Sequence, residues 1–140
     1  MHVISVNGWG IGAILIKLFT FSKWNHSAVM FDENTVFDVT VISKVRCQTK
    51  EQFLKHYPKS DFHRVNVPNE QAALVFAKAQ LGKNYDISAI FGIIFQKRRW
   101  QEDDKWFCSE LVEAILAAGG KIRFRTIVSS ILPRETYAVI

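Results

Sequence analysis

Cysteine and proline are scarce in this chain of 140 residues, which has two cysteines and three prolines. The cysteines, Cys47 and Cys108, have no C-x-x-C spacing and no pair of histidines nearby. Disulfide frameworks and structural zinc sites need more ligands at characteristic spacings. We therefore expect neither a disulfide framework nor a metal site, and we predict no cofactor.

Long uncharged apolar runs are missing too. Lys17 interrupts the apolar N-terminal stretch, which lacks a basic segment before it and an A-x-A-like cleavage site after it. No uncharged apolar run reaches the roughly 18 residues that would span a bilayer. The sequence therefore predicts a cytoplasmic protein by default, with release by lysis or non-standard export as the alternatives.

Linkers rich in Pro, Gly or Ser and internal repeats are absent as well. A chain of 140 residues is typical of one domain, and 49% hydrophobic with 22% charged residues is a globular composition. We predict a single domain over residues 1–140. The net charge of +5 favours an anionic polymer or a lipid headgroup as a partner. The one dense basic cluster, Lys97 to Arg99, is typical of a solvated loop, so we expect no nucleic-acid partner.

Strand-like segments come first and helix-like segments later. Alternating "HVISVN" predicts a strand, and "AVMF" with "TVFDVTVI" predicts a hairpin joined by residues 32–34. "DFHRVNV" and the terminal "TYAVI" are further predicted strands. Predicted helices cover residues 11–21, 49–56 and 68–81, a segment after Asp86, "WFCSELVEAILAA" and "IVSSIL". This order predicts an α+β fold with a small, mostly antiparallel sheet packed against helices.

Cys108 falls in the first turn of a predicted helix, where unpaired N–H groups and the helix dipole stabilise an anion. Free cysteine has a pKa of about 8.5, and a helix N-terminus or a neighbouring imidazolium lowers it. Cys108 is therefore a candidate nucleophile. His26 is a candidate base, and Asp38 is a candidate residue for orienting its ring.

The hairpin register decides whether His26 and Asp38 meet. Side chains alternate between the faces of a strand, so the two share a face only if the loop has an odd number of residues. Asn34 tolerates the left-handed conformation that a three-residue loop needs, which favours Asp32, Glu33 and Asn34 as the loop. A two-residue turn would place the two side chains on opposite faces.

Each candidate also has an ordinary interpretation. Cys108 would then be an inert buried thiol, and His26 and Asp38 polar residues of a strand. Tyr85, Trp24 and Trp106 are candidate substrate-binding residues, with packing in the core as the alternative.

Several motifs occur in an order typical of one family. The chain has a glycine-containing opening before "NHSAVMF", an acidic residue in "VFDVT", then "GKNYD" and "WFCSELV". This series resembles the circularly permuted branch of the NlpC-type, papain-like cysteine hydrolases, the YiiX and YebB group, over nearly the whole chain. Two departures are an aspartate where other members often have glutamate, and "HSAV" in place of "HVGI".

The resemblance implies a papain-like fold, with Cys108 as nucleophile, His26 as general base and acid, and Asp38 as the third residue. It also implies an amide-cleaving enzyme that acts on peptidoglycan stem peptides or γ-linked peptides. One alternative is a lipid-directed acyl hydrolase or acyltransferase of the related fold, although "FCSEL" departs from the motif of that group. A catalytically silent ligand-binding module is the other. The sequence leaves the oligomeric state open.

Overall fold

The computed structural model describes residues 1–9, 22–86, 105–124 and 133–138. Five antiparallel strands form one sheet in the order β4-β3-β2-β1-β5. These strands are β1 (His2–Val6), β2 (His26–Phe31), β3 (Thr35–Thr40), β4 (Ser43–Thr49) and β5 (Ser60–Arg64). Two short strands, β6 (Asn84–Tyr85) and β7 (Lys105–Trp106), pair in parallel. The helices within the described ranges are α1 (Lys50–His56), α2 (Glu70–Ala79), α3 (Cys108–Ala118) and α4 (Pro133–Ala138).

The central strands β1, β2 and β3 are buried on both faces of the sheet, whereas the edge strands β4 and β5 are partly exposed. On one face, α3 packs against β2 and β3, and its apolar residues join those of the strands in the larger core cluster. On the other face, Phe53 of α1 closes a smaller cluster with Ile4, Val6, Ala28, Met30 and Val36. This arrangement confirms the predicted α+β fold with a mostly antiparallel sheet.

The β2–β3 hairpin has the predicted three-residue loop. Phe31 pairs with Thr35 and Val29 with Phe37, which leaves residues 32–34 as the turn. The left-handed residue is Asp32, with φ of 49°, whereas we expected Asn34. The Asp32 carboxylate accepts the backbone N–H of Asn34 at 2.8 Å and that of Thr35 at 2.9 Å, which stabilises this unusual conformation.

Two predicted strands were wrong in part. The run "TVFDVTVI" ends as a strand at Thr40, and Val41 and Ile42 form the turn into β4. Both are β-branched residues that favour strands, so local propensity concealed the turn. The C-terminal "TYAVI" was predicted as a strand, but its first three residues belong to α4.

The helix α4 is favoured by its ends and by its tertiary contacts. Pro133 is its first residue, a position that suits proline because the missing N–H has no partner there anyway. Thr136 donates its hydroxyl to Glu113 of α3 at 3.2 Å, and the Tyr137 ring lies 4.6 Å from that of Trp24. The predicted helices over 11–21, after Asp86 and at "IVSSIL" lie outside the described residues.

Gly119, directly after α3, is held tightly against α2. Its carbonyl accepts the N–H of Asn69 at 2.9 Å, and an added Cβ would collide with the Val67 side chain. We expect Gly119→Ala to lower the free energy of unfolding by about 2 kcal/mol through overpacking. Gly8→Ala is the control, because its Cβ would meet neighbours at 3.6 Å, an ordinary contact. Urea unfolding measures both, and equal stability of the two variants would contradict this prediction.

No helix among the described residues is both long enough and apolar enough to cross a bilayer.

Candidate active site

His26, the first residue of β2, is buried together with Asp38 of β3. The ring Nε2 of His26 lies 3.3 Å from Oδ2 of Asp38. The three-residue loop puts the two side chains on one face, as the odd register requires. The structure therefore brings these two predicted site residues into contact.

Two further side chains hold the Asp38 carboxylate. Arg46 donates from Nε to Oδ1 at 2.8 Å and from Nη2 to Oδ2 at 3.1 Å, and Gln48 donates from Nε2 to Oδ1 at 2.9 Å. Asp38 has no exposed surface, so a carboxylate there needs such partners. Both oxygens of Asp38 are thus occupied, which sets the position that they present to His26.

The pKa of Asp38 reflects this setting. Burial by itself would raise the pKa of the carboxyl, but the hydrogen bonds from His26 and Arg46 and their positive charges outweigh it. The pKa of Asp38 is consequently lowered to about 2. Asp38 is therefore an anion throughout the physiological pH range.

The pKa of His26 moves in the opposite direction. Burial by itself would lower it, but hydrogen bonds to Asp38 and to Cys108 raise the pKa of His26 to about 9. The ring is therefore mainly an imidazolium at neutral pH. Because Asp38 takes Nε2, the other ring nitrogen, Nδ1, remains for the thiol.

Cys108 begins α3 and is 1% exposed. Its thiol is near enough to the His26 ring to contribute to the raised pKa of that histidine. Cys108 packs in the core cluster on the α3 face, whereas His26 shares its face of β2 with Ala28 and Met30. His26 pairs with Val6 of β1, whereas the pairing of β2 with β3 covers only residues 29–31.

The first turn of α3 is buried, with Cys108, Ser109 and Glu110 each at most 2% exposed. The N-cap Phe107 provides no side-chain hydrogen bond to this turn. The Glu110 carboxylate turns back and accepts the N–H of Phe107 at 3.2 Å. The positive end of the helix dipole at this turn favours a nearby anion.

Aromatic rings surround the imidazole. The Tyr57 ring centroid lies 5.1 Å and that of Phe53 6.4 Å from His26. Burial raises the pKa of Tyr57, which keeps its phenol neutral. These rings restrict the rotation of His26 about its side-chain bonds and limit its contact with water.

The three candidate substrate-binding residues occupy different places. Tyr85 is buried, packs against Phe107 at 5.7 Å and lines an open groove of about 380 Å³. Trp106 is half-buried and donates its indole N–H to Gln80 at 3.2 Å. Trp24 is buried against Tyr137. A role in substrate binding stays a prediction for all three residues.

The sequence reasoning missed Arg46, Gln48 and Tyr57. Arg46 is the direct partner of Asp38 across the β3–β4 pair, and Gln48 follows on the same face. By simple alternation, a two-residue turn at positions 41 and 42 would place Val45 opposite Asp38. A β-bulge between Asp38 and Thr40 shifts the register by one residue and brings Arg46 opposite Asp38 instead. No sequence signal identifies Tyr57 either, since it follows α1 and reaches His26 only through tertiary packing.

Comparison with solved structures finds a fold match. The chain is similar to the crystal structure of the metalloprotein yiiX from Escherichia coli O157:H7, with a TM-score of 0.64 and 25% sequence identity. The match covers 89% of this chain and 66% of that one, so this chain spans just under two thirds of its relative. A comparison with curated proteins finds no match.

The relative is described as a metalloprotein, which raises the question of a metal site here. Among the described residues, no group of three or more His, Cys, Asp or Glu side chains could hold a metal ion. The Asp38 carboxylate, a natural hard ligand, already accepts from Arg46 and Gln48. The described residues of the site therefore do not fit a metal ion, and the chemistry of the site is assigned to side chains and backbone groups alone.

A comparison with family models shows the family of the chain. The model of the permuted papain-like amidases, YaeF/YiiX, C92 family, matches residues 11–137, nearly the whole chain. Its papain-like fold agrees with the antiparallel sheet and the helix that begins at Cys108. The chain therefore belongs to the C92 family of permuted papain-like amidases.

Proposed function

We propose that this protein is a cysteine amidase in which Cys108 is the nucleophile, His26 the general base and acid, and Asp38 the residue that orients His26. The observation that carries the proposal is the hydrogen-bonded series from Arg46 to Asp38 and to His26, together with the influence of the nearby Cys108 thiol on the pKa of His26. A thiol beside an imidazole that is itself held by a carboxylate is the arrangement of a thiol hydrolase.

The reaction follows from this geometry. In the reactive form the thiol proton of Cys108 resides on His26 as the imidazolium, and the Cys108 thiolate attacks the amide carbonyl carbon to give a tetrahedral intermediate. The imidazolium then protonates the leaving amine, and the C–N bond breaks to leave a thioester on Cys108. Water, deprotonated by His26, hydrolyses the thioester and restores the thiol.

Charge develops on the carbonyl oxygen of the substrate during both steps. The backbone N–H of Cys108, at the start of α3, is the proposed donor to that oxygen. Loss of one such donor typically raises the barrier by about 3 kcal/mol. Asp38 stabilises the imidazolium because its negatively charged carboxylate lies beside Nε2 of His26.

The proposed substrate is an amide of a peptidoglycan stem peptide or another γ-linked peptide, and this choice rests on analogy with NlpC-type enzymes. Tyr85 lies at the groove and adjoins the residue before Cys108, which makes it the best-placed substrate-binding candidate. A single domain over residues 1–140 and action in the cytoplasm remain part of the proposal.

Acylation of Cys108 tests the mechanism without knowledge of the natural substrate. We expect p-nitrophenyl acetate to release a stoichiometric burst of p-nitrophenolate as an acetyl group is transferred to Sγ of Cys108. Mass spectrometry should locate the acetyl group on the Cys108 peptide. Cys47→Ala is the matched control and should keep the burst, because Cys47 is exposed and lies outside the site. A burst that persists in Cys108→Ala, or no burst at all, would contradict the proposal.

A panel of amides then tests the substrate class. Hydrolysis of γ-glutamyl peptides in preference to α-linked peptides and fatty N-acyl amides is the expected result. Preference for the fatty amides would instead support the lipid-directed acyl hydrolase. Acylation of Cys108 with no hydrolysis of any amide would contradict the amidase assignment.

A further inference from the structure

The turn between β3 and β4 has an unusual composition for its position. Two-residue hairpin loops favour Asn-Gly and similar pairs, because their backbone commonly needs a positive φ. Here the loop is Val41 and Ile42, and neither has a positive φ. The Ser43 hydroxyl closes the turn by contacts with the backbone N–H of Thr40 at 3.1 Å and the Thr40 hydroxyl at 2.9 Å. The turn is therefore held by its flanking residues and does not need apolar side chains at its tip.

Those apolar side chains point into solvent. Ile42 is 97% exposed and Val41 41% exposed. Single exposed apolar residues are common on protein surfaces. Two adjacent exposed apolar residues at the tip of a hairpin are better placed to insert into an apolar surface, because the strands on either side hold the turn in position.

Positive charge accompanies this tip. Lys44 and Lys105 line the same groove as Val41 and Ile42, and none of the described lining residues is acidic. The Lys83 ammonium lies nearby, 6.0 Å from the centre of the Trp106 ring. Lysines around an apolar tip are complementary to a surface that is apolar inside and anionic at its boundary.

The tip lies at the end of the sheet that carries the candidate active site. Asp38 precedes Val41 by three residues, about 10 Å along a strand. Tyr85, which lines the groove, packs against Phe107, the residue before Cys108. A partner bound at the tip would therefore adjoin the nucleophile.

We propose that the Val41–Ile42 tip, with Lys44 and Lys105, docks the protein on an anionic lipid surface. Ile42 and Val41 enter the boundary between headgroups and acyl chains, and the lysines contact lipid phosphates. A soluble anionic polymer would satisfy the lysines but leave Ile42 in water, so the combination selects a lipid surface. This docking does not depend on the proposed hydrolysis.

Vesicle co-sedimentation tests the proposal. The full chain should bind vesicles of phosphatidylcholine and phosphatidylglycerol and bind much more weakly to phosphatidylcholine alone. Ile42→Ser and Lys44→Glu should each weaken binding about tenfold, through lost insertion and reversed charge respectively. Circular dichroism checks folding, which both exposed substitutions should leave intact.

The chain offers a matched control in Lys121 and Ile122, another exposed lysine and isoleucine, with Ile122 74% exposed. Lys121→Glu and Ile122→Ser should leave vesicle binding unchanged. If the Lys121 and Ile122 variants lost as much vesicle binding as the Lys44 and Ile42 variants, the attraction would be non-specific and the proposal would be overturned. Loss with Lys44→Glu but not with Ile42→Ser would show that charge alone attracts the protein, without insertion of the tip, and would also overturn it, as would failure of the unaltered chain to bind. Cys108→Ala should bind vesicles normally, which separates this result from any failure of the amidase proposal.

Discussion

Replacing His26 by alanine is expected to slow alkylation of Cys108 at pH 6 by about 100-fold, since a positioned acid or base typically contributes at least that factor. The His26 imidazolium stabilises the thiolate of the reactive form by its positive charge, because its pKa, raised to about 9, keeps it charged at pH 6 in the presence of Asp38. In His26→Ala the thiol loses this partner.

Cys47 is the internal reference for this experiment. It is exposed, but burial of part of the residue raises the pKa of its thiol, with Asp32 adding to this effect and Lys78 opposing it, so it should react slowly at pH 6. Mass spectrometry of iodoacetamide-treated protein compares the two cysteines in one sample. His56→Ala is the matched control, because that histidine is exposed and its Nδ1 hydrogen-bonds to the backbone carbonyl of Gln52 in its own helix. A Cys108 that reacts no faster than Cys47, in both the unaltered chain and His26→Ala, would refute the enzymatic role.

The same variant tests the pKa of His26 through stability. The folded-state pKa of about 9 exceeds the ordinary value of 6.5, so the contribution to stability is complete below pH 6.5 and disappears as the pH rises through 9. The stability difference between the unaltered chain and His26→Ala should follow this window in urea unfolding. A difference that grows above pH 9 would contradict the raised pKa.

Replacing Arg46 by glutamine is expected to lower the free energy of unfolding by about 2 kcal/mol, because Asp38 would keep a buried charge with fewer partners. The figure is smaller than for a fully buried pair, since the Arg46 side chain is 35% exposed and water screens part of its charge. The pKa of Asp38 should rise, and with less support for the imidazolium the alkylation of Cys108 should slow.

The dependence of the free energy of unfolding on pH below 4 gives a more specific test of Arg46→Gln. The folded-state pKa of Asp38, about 2, lies below its ordinary value of 3.8, so its contribution is complete above pH 3.8 and is lost as the pH falls through 2. In Arg46→Gln this loss should begin at a higher pH. Arg46→Lys should restore part of the stability by returning the charge without the paired hydrogen bonds.

Two controls separate this effect from a general loss of charge. Arg64→Gln removes an exposed arginine from β5 and should change stability by less than about 0.5 kcal/mol. The double variant with Asp38→Asn should lose less stability than the sum of the single variants, because no stranded carboxylate remains. Additive losses would mean that Arg46 does not stabilise the fold through Asp38.

The approach of His26 to Asp38 was predictable because strand geometry is local. Alternation of side chains and an odd loop together place both on one face, whichever loop residue takes the positive φ. The start of α3 at Cys108 was equally readable, since the apolar spacing that follows it is helical.

The partners of Asp38 could not be read in the same way. Arg46 pairs with Asp38 because β3 turns at Val41 and Ile42 and a β-bulge between Asp38 and Thr40 shifts the register by one residue. The two turn residues favour a strand by propensity, and no local pattern marks the bulge. The last helix shows the same limit. "TYA" prefers a strand by local composition, yet Thr136 reaches Glu113 and Tyr137 reaches Trp24 in a helix.

The sequence by itself determined the fold class, the family resemblance and the three candidate residues, because each depends on periodicity or on short motifs. Only the tertiary structure decided that Cys108 lies near enough to His26 to raise its pKa and that Arg46 and Gln48 hold Asp38. The position of Tyr57 beside His26 was likewise decided only by the tertiary structure. These contacts join segments far apart in the chain, and their strength comes from burial, which no local pattern specifies.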